Sequence, residues 1–436
     1  MYPKILILEQ PFDKQTGGGI TLSNLFSGWE TDRLAVVCSG YLINDHTNFD
    51  ICSKYYQIGE LEHQWRFPFN LIKRKYPSGE IDKKKIYSSK VNKIADSNTL
   101  RMRLINHVFY PVLNYFGLNY FFNKIELSVE LCRWLDIYNP DIVYAQPSSR
   151  QSVLFCYKVQ RYLNKPFVFH MMDDWPTVIK HQGLFGNIRF KKVERDLKML
   201  FENTNIFLGV SEFMAEEYYK RYNQKFITFH NPIDIAFWEK YRKRNYKIGK
   251  QATILYAGRV GVGIDSSLET IAKATFLVNE KYKINLSFHL QTQEKPNWID
   301  KYRYVRHNEF VEYDLLPKVF AEADLLILPY DFSLKSLHFI RFSMPTKAPE
   351  YLACRTPVII FAPGETALVK YAEKNNCAFV ITKNSVELLA ENIVELLADE
   401  CLREKLGTKG SEFVDKFHNA ENIRRNFRIL LTSLNK

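Results

Sequence analysis

Short apolar runs alternate with longer amphipathic segments along almost the whole of this 436-residue chain. Such alternation is typical of parallel sheets covered by helices, because each buried strand must be followed by a long crossover before the next strand begins. The strand-like runs are Ile5–Leu8, Leu34–Cys38, Ile142–Ala145, Phe167–His170, Ile206–Val210, Thr253–Ala257, Leu286–Leu290, Leu325–Pro329, Val358–Phe361 and Ala378–Ile381. Helical patterns include Ile125–Tyr138, Ser211–Tyr222 and Val386–Ala398. The sequence therefore predicts an α/β protein.

The strands fall into two series, and the chain is longer than one hydrophobic core usually supports. We therefore predict two doubly wound, Rossmann-like domains that face each other across a cleft, at residues 1–238 and 252–419. The polar, basic stretch 239–251 is predicted to link them. Ligands bind such sheets beyond the carboxyl ends of the strands, so residues that directly follow strands are the candidates for function.

Composition excludes several other classes of protein. The seven cysteines form no Cys-x-x-Cys pair, which argues against a zinc site or a disulfide framework and favours a reducing cytoplasm. No apolar run reaches the roughly 18–20 residues of a membrane-spanning helix, and the first eight residues resemble a buried strand more than a signal peptide. The chain contains no Asp-x-Asp, so we expect no metal–diphosphate site of that kind.

The net charge of +12 is concentrated in a predicted insert at about 62–122 of the first domain. Between Arg66 and Arg103 there are eleven Lys and Arg residues against three acids. An aromatic-rich segment follows, with Phe109, Tyr110, Tyr115, Phe116, Tyr120, Phe121 and Phe122. This combination suits a protein on an anionic membrane surface, and it equally suits a solvated loop beside a packed helix. The charge permits nucleic-acid binding, but no recognisable module for it is present, and we predict none.

Three consecutive glycines, Gly17, Gly18 and Gly19, follow the first strand and a polar loop and open a helix. Their backbone N–H groups can hold a phosphate or an acceptor hydroxyl, although a flexible loop with a helix cap would look the same. We assign Gly17 to binding the substrate that carries the acceptor hydroxyl, and Gly18 and Gly19 to binding the donor substrate that carries the phosphate. The run differs from the Gly-x-Gly-x-x-Gly fingerprint, which argues against an NAD enzyme.

His170, Asp173 and Asp174 follow another buried strand. Adjacent carboxylates beside a histidine can orient sugar hydroxyls, stabilise a cation or act as a base. The alternative is an aspartate that caps the next helix beside a histidine of the core. Three polar groups exceed what a cap needs, so we predict catalytic roles for His170 and Asp173 and acceptor binding for Asp174.

A second cluster of candidates lies in the second domain. Arg259 follows Gly258 in a glycine-rich turn after a strand, where it can bind a diphosphate in bidentate fashion or form a surface salt bridge. Lys347 and Glu350 are three residues apart at a helix start, beyond the turn that begins at Ser343, so their side chains share one face. A cation there suits phosphate, and a carboxylate can accept hydrogen bonds from a ribose diol.

The alternative for Lys347 and Glu350 is a simple ion pair, which at an exposed position stabilises a protein by only a few tenths of a kcal/mol. We therefore predict that Gly258, Arg259, Ser343, Lys347 and Glu350 bind a sugar nucleotide.

With these residues identified, the chain resembles a retaining glycosyltransferase of the two-domain GT-B architecture, most similar to glycosyltransferase family four. The resemblance covers nearly the full length. It rests on Gly17–Gly19, the turn at Gly258 and Arg259, the Asn231-Pro-Ile-Asp234 element, and the Pro-x-Lys-x-x-Glu-Tyr helix start at 345–351, which occur in the family's order.

The resemblance implies that the second domain holds the nucleoside diphosphate and the first holds the acceptor. It implies that Glu350 binds the ribose, that Arg259 and Lys347 neutralise the leaving diphosphate, and that His170 contacts the donor sugar. It also implies a C-terminal helix, at about 420–436, that packs back on the first domain. No cofactor and no enzyme nucleophile are required.

Two positions depart from the family's pattern. Phe342 stands where a second glutamate is common, and glycines around Gly263 replace a lysine that usually follows the arginine. Our hypothesis is that Lys347 supplies the missing cation.

The expected function is sugar transfer to a glycan or lipid-linked oligosaccharide acceptor in bacterial surface-polysaccharide synthesis, on the cytoplasmic face of a membrane. A sugar-nucleotide epimerase or hydrolase and a non-catalytic binding subunit are the alternatives.

Overall fold

The computed structural model describes residues 2–14, 16–66, 76–81, 109–117, 123–309 and 311–435. The chain forms two compact units, one comprising Met1–Phe229 with Arg424–Lys436 and the other His230–Ile423. Each unit is built on a largely parallel sheet, so the α/β prediction is confirmed. Most of the predicted insert at 62–122 lies outside the described residues.

The sheet of the first unit has eight strands in the order β10-β9-β8-β7-β1-β2-β3-β5. All neighbours are parallel except β3 and β5, and a separate antiparallel pair joins β4 to β6. The strands are β1 Ile5–Leu8, β2 Leu34–Ser39, β3 Lys54–Ile58, β4 His63–Trp65, β5 Gly79–Ile81, β6 Asn123–Ile125, β7 Ile142–Ala145, β8 Phe167–Met171, β9 Ile206–Gly209 and β10 Phe226–Thr228.

Local capping chemistry sets the ends of several helices of this unit. Ser128 and Ser211 accept hydrogen bonds from backbone N–H groups of the first turn of their helices, and Asn139 and Asn223 end the same helices with positive φ. The helices are α1 Gly17–Phe26, α2 Tyr110–Phe116, α3 Val129–Tyr138, α4 Arg150–Leu163, α5 Trp175–Lys180, α6 Gly186–Phe201 and α7 Glu212–Tyr222.

The sheet of the second unit is entirely parallel, in the order β13-β12-β11-β14-β15-β16. Its strands are β11 Ala252–Gly258, β12 Leu286–Thr292, β13 Val305–Asn308, β14 Leu325–Pro329, β15 Val358–Phe361 and β16 Phe379–Ile381. Its helices are α8 Ile235–Glu239, α9 Asp265–Tyr282, α10 Leu316–Glu322, α11 Leu334–Ile340, α12 Lys347–Ala353, α13 Ala367–Asn375, α14 Val386–Ala398 and α15 Glu400–Phe417. This is the strand order of doubly wound nucleotide-binding sheets.

The segment 239–251, which we predicted to link two domains, belongs instead to the second unit. Its Lys243 ammonium donates hydrogen bonds to the carbonyls of Ala321 (3.1 Å) and Ala323 (2.9 Å), at the end of α10. The polar composition of the segment therefore reflects hydrogen bonding to neighbouring backbone, and the two units divide earlier, between Phe229 and His230.

The last helix, α16 (Ala420–Thr432), has its second half in the first unit. Phe427 is fully buried there, with its ring edge-on to Phe26 at 5.1 Å between centroids. Arg424 donates to the carbonyl of Asn24 (2.8 Å) and Arg428 to the carbonyl of Ser27 (2.9 Å). The C-terminal segment thus closes the core beside α1.

Both sheets contain a topological switch point, where the strand order reverses and the strand ends leave a crevice. In the first sheet it lies between β1 and β7, which lead directly into Glu9 and Gln146. In the second it lies between β11 and β14, which lead into Arg259 and, two residues after the strand, Asp331. These two edges are where ligands of such sheets bind.

Candidate active site

The end of β11 is held in place by two buried tyrosines. The Tyr351 hydroxyl on α12 accepts a hydrogen bond from the N–H of Ala257 (2.6 Å) and donates to its carbonyl (3.1 Å). The Tyr256 hydroxyl donates to the carbonyl of Arg259 (2.6 Å). These bonds fix the backbone from which the exposed Arg259 side chain projects.

The turn after β11 depends on glycine and on a buried aspartate. Gly261 and Gly263 have φ of +108° and +87°, a region that other residues rarely adopt. The Asp331 N–H donates to the carbonyl of Gly263 (2.9 Å), and its carboxylate accepts from the N–H of Ser267 (2.9 Å) in the first turn of α9. Asp331 was not among the predicted site residues, although an acidic residue just after the apolar strand β14 was a usable signal.

Lys347, in the first turn of α12, reaches the end of β11. Its Nζ lies 3.1 Å from the position that a Cβ on Gly258 would occupy, so a larger residue at 258 would crowd the ammonium. Burial lowers the pKa of Lys347, Glu350 opposes that shift, and Arg259 lowers the pKa further. The structure thus places Lys347 near Gly258, Arg259 and Glu350, while the binding of a sugar nucleotide by these residues stays a prediction.

Glu350 is a buried carboxylate, with 6% of its surface exposed. Burial raises its pKa to about 7, against the opposing effects of Lys347 and of the Tyr313 hydroxyl, which lies 3.4 Å from Oε1. The Tyr313 ring stacks on Phe237 at 5.4 Å and meets Trp238 edge-on at 6.1 Å. This aromatic wall beside Glu350 was also missed, because its members are far apart in the sequence.

The Asn231–Asp234 element supports this site from both of its ends. The Asn231 side chain donates to the carbonyl of Thr346 (3.3 Å), the residue before Lys347. Asp234 accepts from the N–H of Phe237 (3.4 Å) and so begins α8, which carries Phe237 and Trp238 of the aromatic wall. The Ser343 hydroxyl, which we predicted to bind the donor, donates to the carbonyl of Phe339 (3.2 Å).

The glycines of the first unit start α1 and lie at its switch point. The Thr16 hydroxyl accepts from the N–H of Gly19 (3.2 Å), and a Cβ on Gly19 would overlap Asp13. Close packing against Asp13 and the helix cap at Thr16 therefore account for the glycine at position 19 without a ligand. Gly18 lies near Gln146, whose Oε1 is 3.5 Å from the place of a Gly18 Cβ. Gly17 is exposed.

The His170 ring is fully buried, on the same sheet edge as Gln146. The Gln146 amide donates to the Tyr144 hydroxyl (2.9 Å), and this hydroxyl is hydrogen-bonded to His170 Nδ1 (2.5 Å). Within the described residues, Nε2 has no hydrogen-bond partner. Burial lowers the pKa of His170 to about 3, so the ring is neutral at physiological pH. The predicted catalytic role of His170 in contact with the donor sugar stays a prediction, and the buried, neutral ring does not favour a role as a general base.

Asp174 has a structural role in place of the predicted acceptor binding. Its carboxylate is buried (2% exposed) and accepts hydrogen bonds from both terminal nitrogens of Arg221 (2.9 and 3.0 Å) and from the Tyr218 hydroxyl (2.7 Å). Three hydrogen bonds to this carboxylate are thus made inside the first unit, which favours a structural role. Asp173, by contrast, is exposed.

The part of the chain that the structure describes contains neither a candidate metal site nor a candidate membrane-spanning helix. No group of three or more His, Cys, Asp and Glu side chains has the arrangement of a metal site. No helix there combines the length and apolar character needed to cross a bilayer.

Residues 251–399 match the protein family described as "Glycosyl transferases group 1". No curated protein matches the chain. Among solved structures, sucrose-phosphate synthase from Thermosynechococcus elongatus is 13% identical, with a TM-score of 0.63 over 99% of this chain and 98% of the other.

Two further solved structures resemble the chain over its full length. HepE from Anabaena, solved with UDP and glucose, is 12% identical with a TM-score of 0.58, covering 99% of this chain and 100% of the other. A glycosyltransferase from Rickettsia africae is 12% identical with a TM-score of 0.59, covering all of both chains. The fold is therefore that of the GT-B glycosyltransferases, with two Rossmann-like units, as predicted.

Proposed function

We propose that this protein is a glycosyltransferase that takes its sugar from a nucleoside-diphosphate sugar. The observation that carries the proposal is the convergence of two cations and a buried carboxylate, Arg259, Lys347 and Glu350, at the switch point of the second sheet. The family match over residues 251–399 covers this site and supports the proposal. The UDP and glucose bound to HepE support the class of donor.

Each of the three residues has a task that follows from its chemistry. The ionised Glu350 accepts hydrogen bonds from the ribose diol, beside the Tyr313 ring. Arg259 and Lys347 bind the diphosphate, which gains negative charge as the glycosidic bond breaks. Cations fixed at that point stabilise the transition state more than the bound donor, and this difference is what accelerates the reaction.

The finer features of the reaction follow from the family resemblance. We propose that the acceptor attacks the face from which the diphosphate departs, so the anomeric configuration is retained without an enzyme nucleophile. The acceptor is a glycan or a lipid-linked oligosaccharide of a bacterial surface polysaccharide, bound by the first unit. The donor is held by the protein itself, without a metal or other cofactor.

Release of nucleoside diphosphate and the fate of the sugar, each measured with and without acceptor, test the proposal. A transferase releases diphosphate mainly when a lipid-linked or glycan acceptor is present and leaves the sugar on that acceptor. Free sugar without acceptor would indicate a hydrolase, and an isomerised sugar an epimerase. Donor binding with no turnover under any condition would contradict catalysis. Arg259→Ala serves as the control that the activity belongs to this site.

Binding of UDP-glucose is expected to weaken as the pH falls below about 7. The ribose hydroxyls donate to the ionised carboxylate, and the raised pKa of Glu350, about 7, leaves it mostly protonated in more acidic solution. A group with this pKa is about 3% ionised at pH 5.5, so affinity should be roughly 30-fold lower there than at pH 8. Titration calorimetry at both pH values measures the change.

Glu350→Gln is the control, because it keeps the shape of the side chain and cannot titrate. Its weaker binding should show little dependence on pH over the same range. If the Gln variant retains the full pH dependence of the wild type, the titrating group is not Glu350 and the ribose assignment fails.

A further inference from the structure

The first unit exposes six large apolar side chains on two segments that meet at one surface. Each of these side chains is between 40% and 61% exposed. They come from α2 and from the turn into α6: Val112, Tyr115, Phe116, Leu184, Phe185 and Ile188. Single exposed apolar residues are ordinary, but a contiguous group of this kind marks an interaction site. We call this group the apolar patch.

Backbone contacts lock the two segments of the apolar patch together. The N–H of Leu184 donates to the carbonyl of Tyr115 (3.1 Å). Gly183, at φ +63°, lies so close to that carbonyl that any Cβ would overlap it, and Gly117 lies against the side chain of Arg189 in the same way. The patch is therefore a built surface in which the positions of both segments depend on each other.

A row of cations continues from the apolar patch along α6. From Ile188 of the apolar patch, the exposed cations Lys191, Arg195 and Lys198 follow at every third or fourth residue and therefore share one face of the helix. The opposite face is buried through residues such as Val193 and Leu197. The exposed Lys180 lies just before the patch in the chain. Arg195 also pairs with Asp196 (3.0 Å), and Glu194 lies on the same surface, so the positive charge beside the apolar side chains comes mainly from Lys180, Lys191 and Lys198.

We propose that this surface docks on an anionic lipid bilayer, with the apolar patch entering the headgroup boundary and the α6 cations binding lipid phosphates. Aromatic and branched side chains flanked by Lys and Arg are the chemistry of interfacial membrane binding. Each Lys or Arg near an anionic surface adds to the attraction, and a buried apolar side chain anchors the contact. The inference concerns a surface outside the donor site and does not rest on the proposed enzymatic function.

Flotation with vesicles of phosphatidylcholine, alone or mixed with phosphatidylglycerol, tests the proposal. The wild-type protein should float with the anionic vesicles and much less with the neutral ones. Phe185→Ser with Ile188→Ser should lower the partition coefficient on the order of tenfold or more, because two anchors are lost. The matched control replaces Val129 and Ile137, two more highly exposed apolar residues of α3, with serine and should leave partitioning unchanged.

A second variant tests the electrostatic part. Lys191→Gln with Lys198→Gln should lower binding to anionic vesicles roughly 25-fold and weaken its dependence on salt. The circular dichroism spectrum and the Tm should stay at the wild-type level in both variants, which shows that they are folded.

Three results would overturn the proposal. The first is failure of the wild-type protein to float, and the second is equal flotation with neutral and anionic vesicles. The third is a wild-type dimer in sedimentation that the Phe185 and Ile188 variant abolishes, since the patch would then be a contact between copies of the chain.

Discussion

Replacing Lys347 with alanine is expected to lower kcat by about a hundredfold to a thousandfold, as severely as replacing Arg259. Both cations lie at the end of β11, where Lys347 Nζ approaches Gly258 and Arg259 lowers the pKa of Lys347. The leaving diphosphate gains charge at this point, so loss of either cation raises the barrier more than it weakens donor binding. Release of nucleoside diphosphate under saturating donor measures the effect.

The hypothesis that Lys347 replaces a cation missing after Arg259 depends on the size of this effect. The exposed Lys409 of α15 supplies the control, since Lys409→Ala removes the same charge elsewhere in the second unit and should leave kcat unchanged. Donor affinity should fall by roughly tenfold in each active-site variant, much less than kcat. A mild loss of kcat in Lys347→Ala beside a severe loss in Arg259→Ala would contradict the hypothesis.

Arg221→Ala is expected to destabilise the first unit by about 3–5 kcal/mol. The substitution leaves the buried Asp174 carboxylate with only the Tyr218 hydroxyl of its present partners, and a buried charge without its counter-ion is costly. In a unit of this size the loss corresponds to a fall in Tm on the order of 10 °C. Differential scanning calorimetry measures it, with the fall expected in the transition of the first unit.

Two further variants separate the buried charge from other causes. Asp174→Asn combined with Arg221→Met removes both charges and should recover much of the lost Tm. Lys124→Ala breaks an exposed pair with Glu126, which keeps Lys158 as a partner at 2.5 Å, and should change stability by less than about 1 kcal/mol. If Arg221→Ala keeps the wild-type Tm and weakens acceptor binding, Asp174 belongs to the acceptor site as first predicted.

The sequence predicted best what depends on local patterns. Apolar runs marked the central strands of both sheets, and four of them, β1, β7, β14 and β15, have the predicted ends. The less regular strands were missed because they are defined by the neighbouring strands with which they pair, and their own residues show no clear apolar run. β3 begins with an exposed lysine, β5 has three residues, and β6 ends at Ile125, where the pattern that we assigned to a helix begins.

In the candidate site, too, features marked by a local sequence pattern were predicted and features set by tertiary contacts were missed. Glycines, a lysine and a glutamate at set spacing identified the cluster at Gly258, Arg259, Lys347 and Glu350 before any geometry was known. Asp174 was misassigned because its partner, Arg221, is 47 residues away, and a sequence shows the carboxylate without the guanidinium that occupies it.

Glu9 was missed for a related reason. It follows β1 with a φ of 70° and is buried, which raises its pKa to about 8. Both its conformation and its burial are set by tertiary packing, so no local pattern marks it.

Thermal stabilisation by a panel of nucleoside diphosphates and their sugars, repeated with Glu350→Ala, tests the central claim most directly. A ligand at about a hundred times its dissociation constant adds roughly 2.7 kcal/mol of stability, an easily measured shift. The account predicts a shift for one base and its sugar nucleotide in the wild-type protein and none in the variant. No shift with any member of the panel, or the same shift in Glu350→Ala, would contradict a donor site built on Arg259, Lys347 and Glu350.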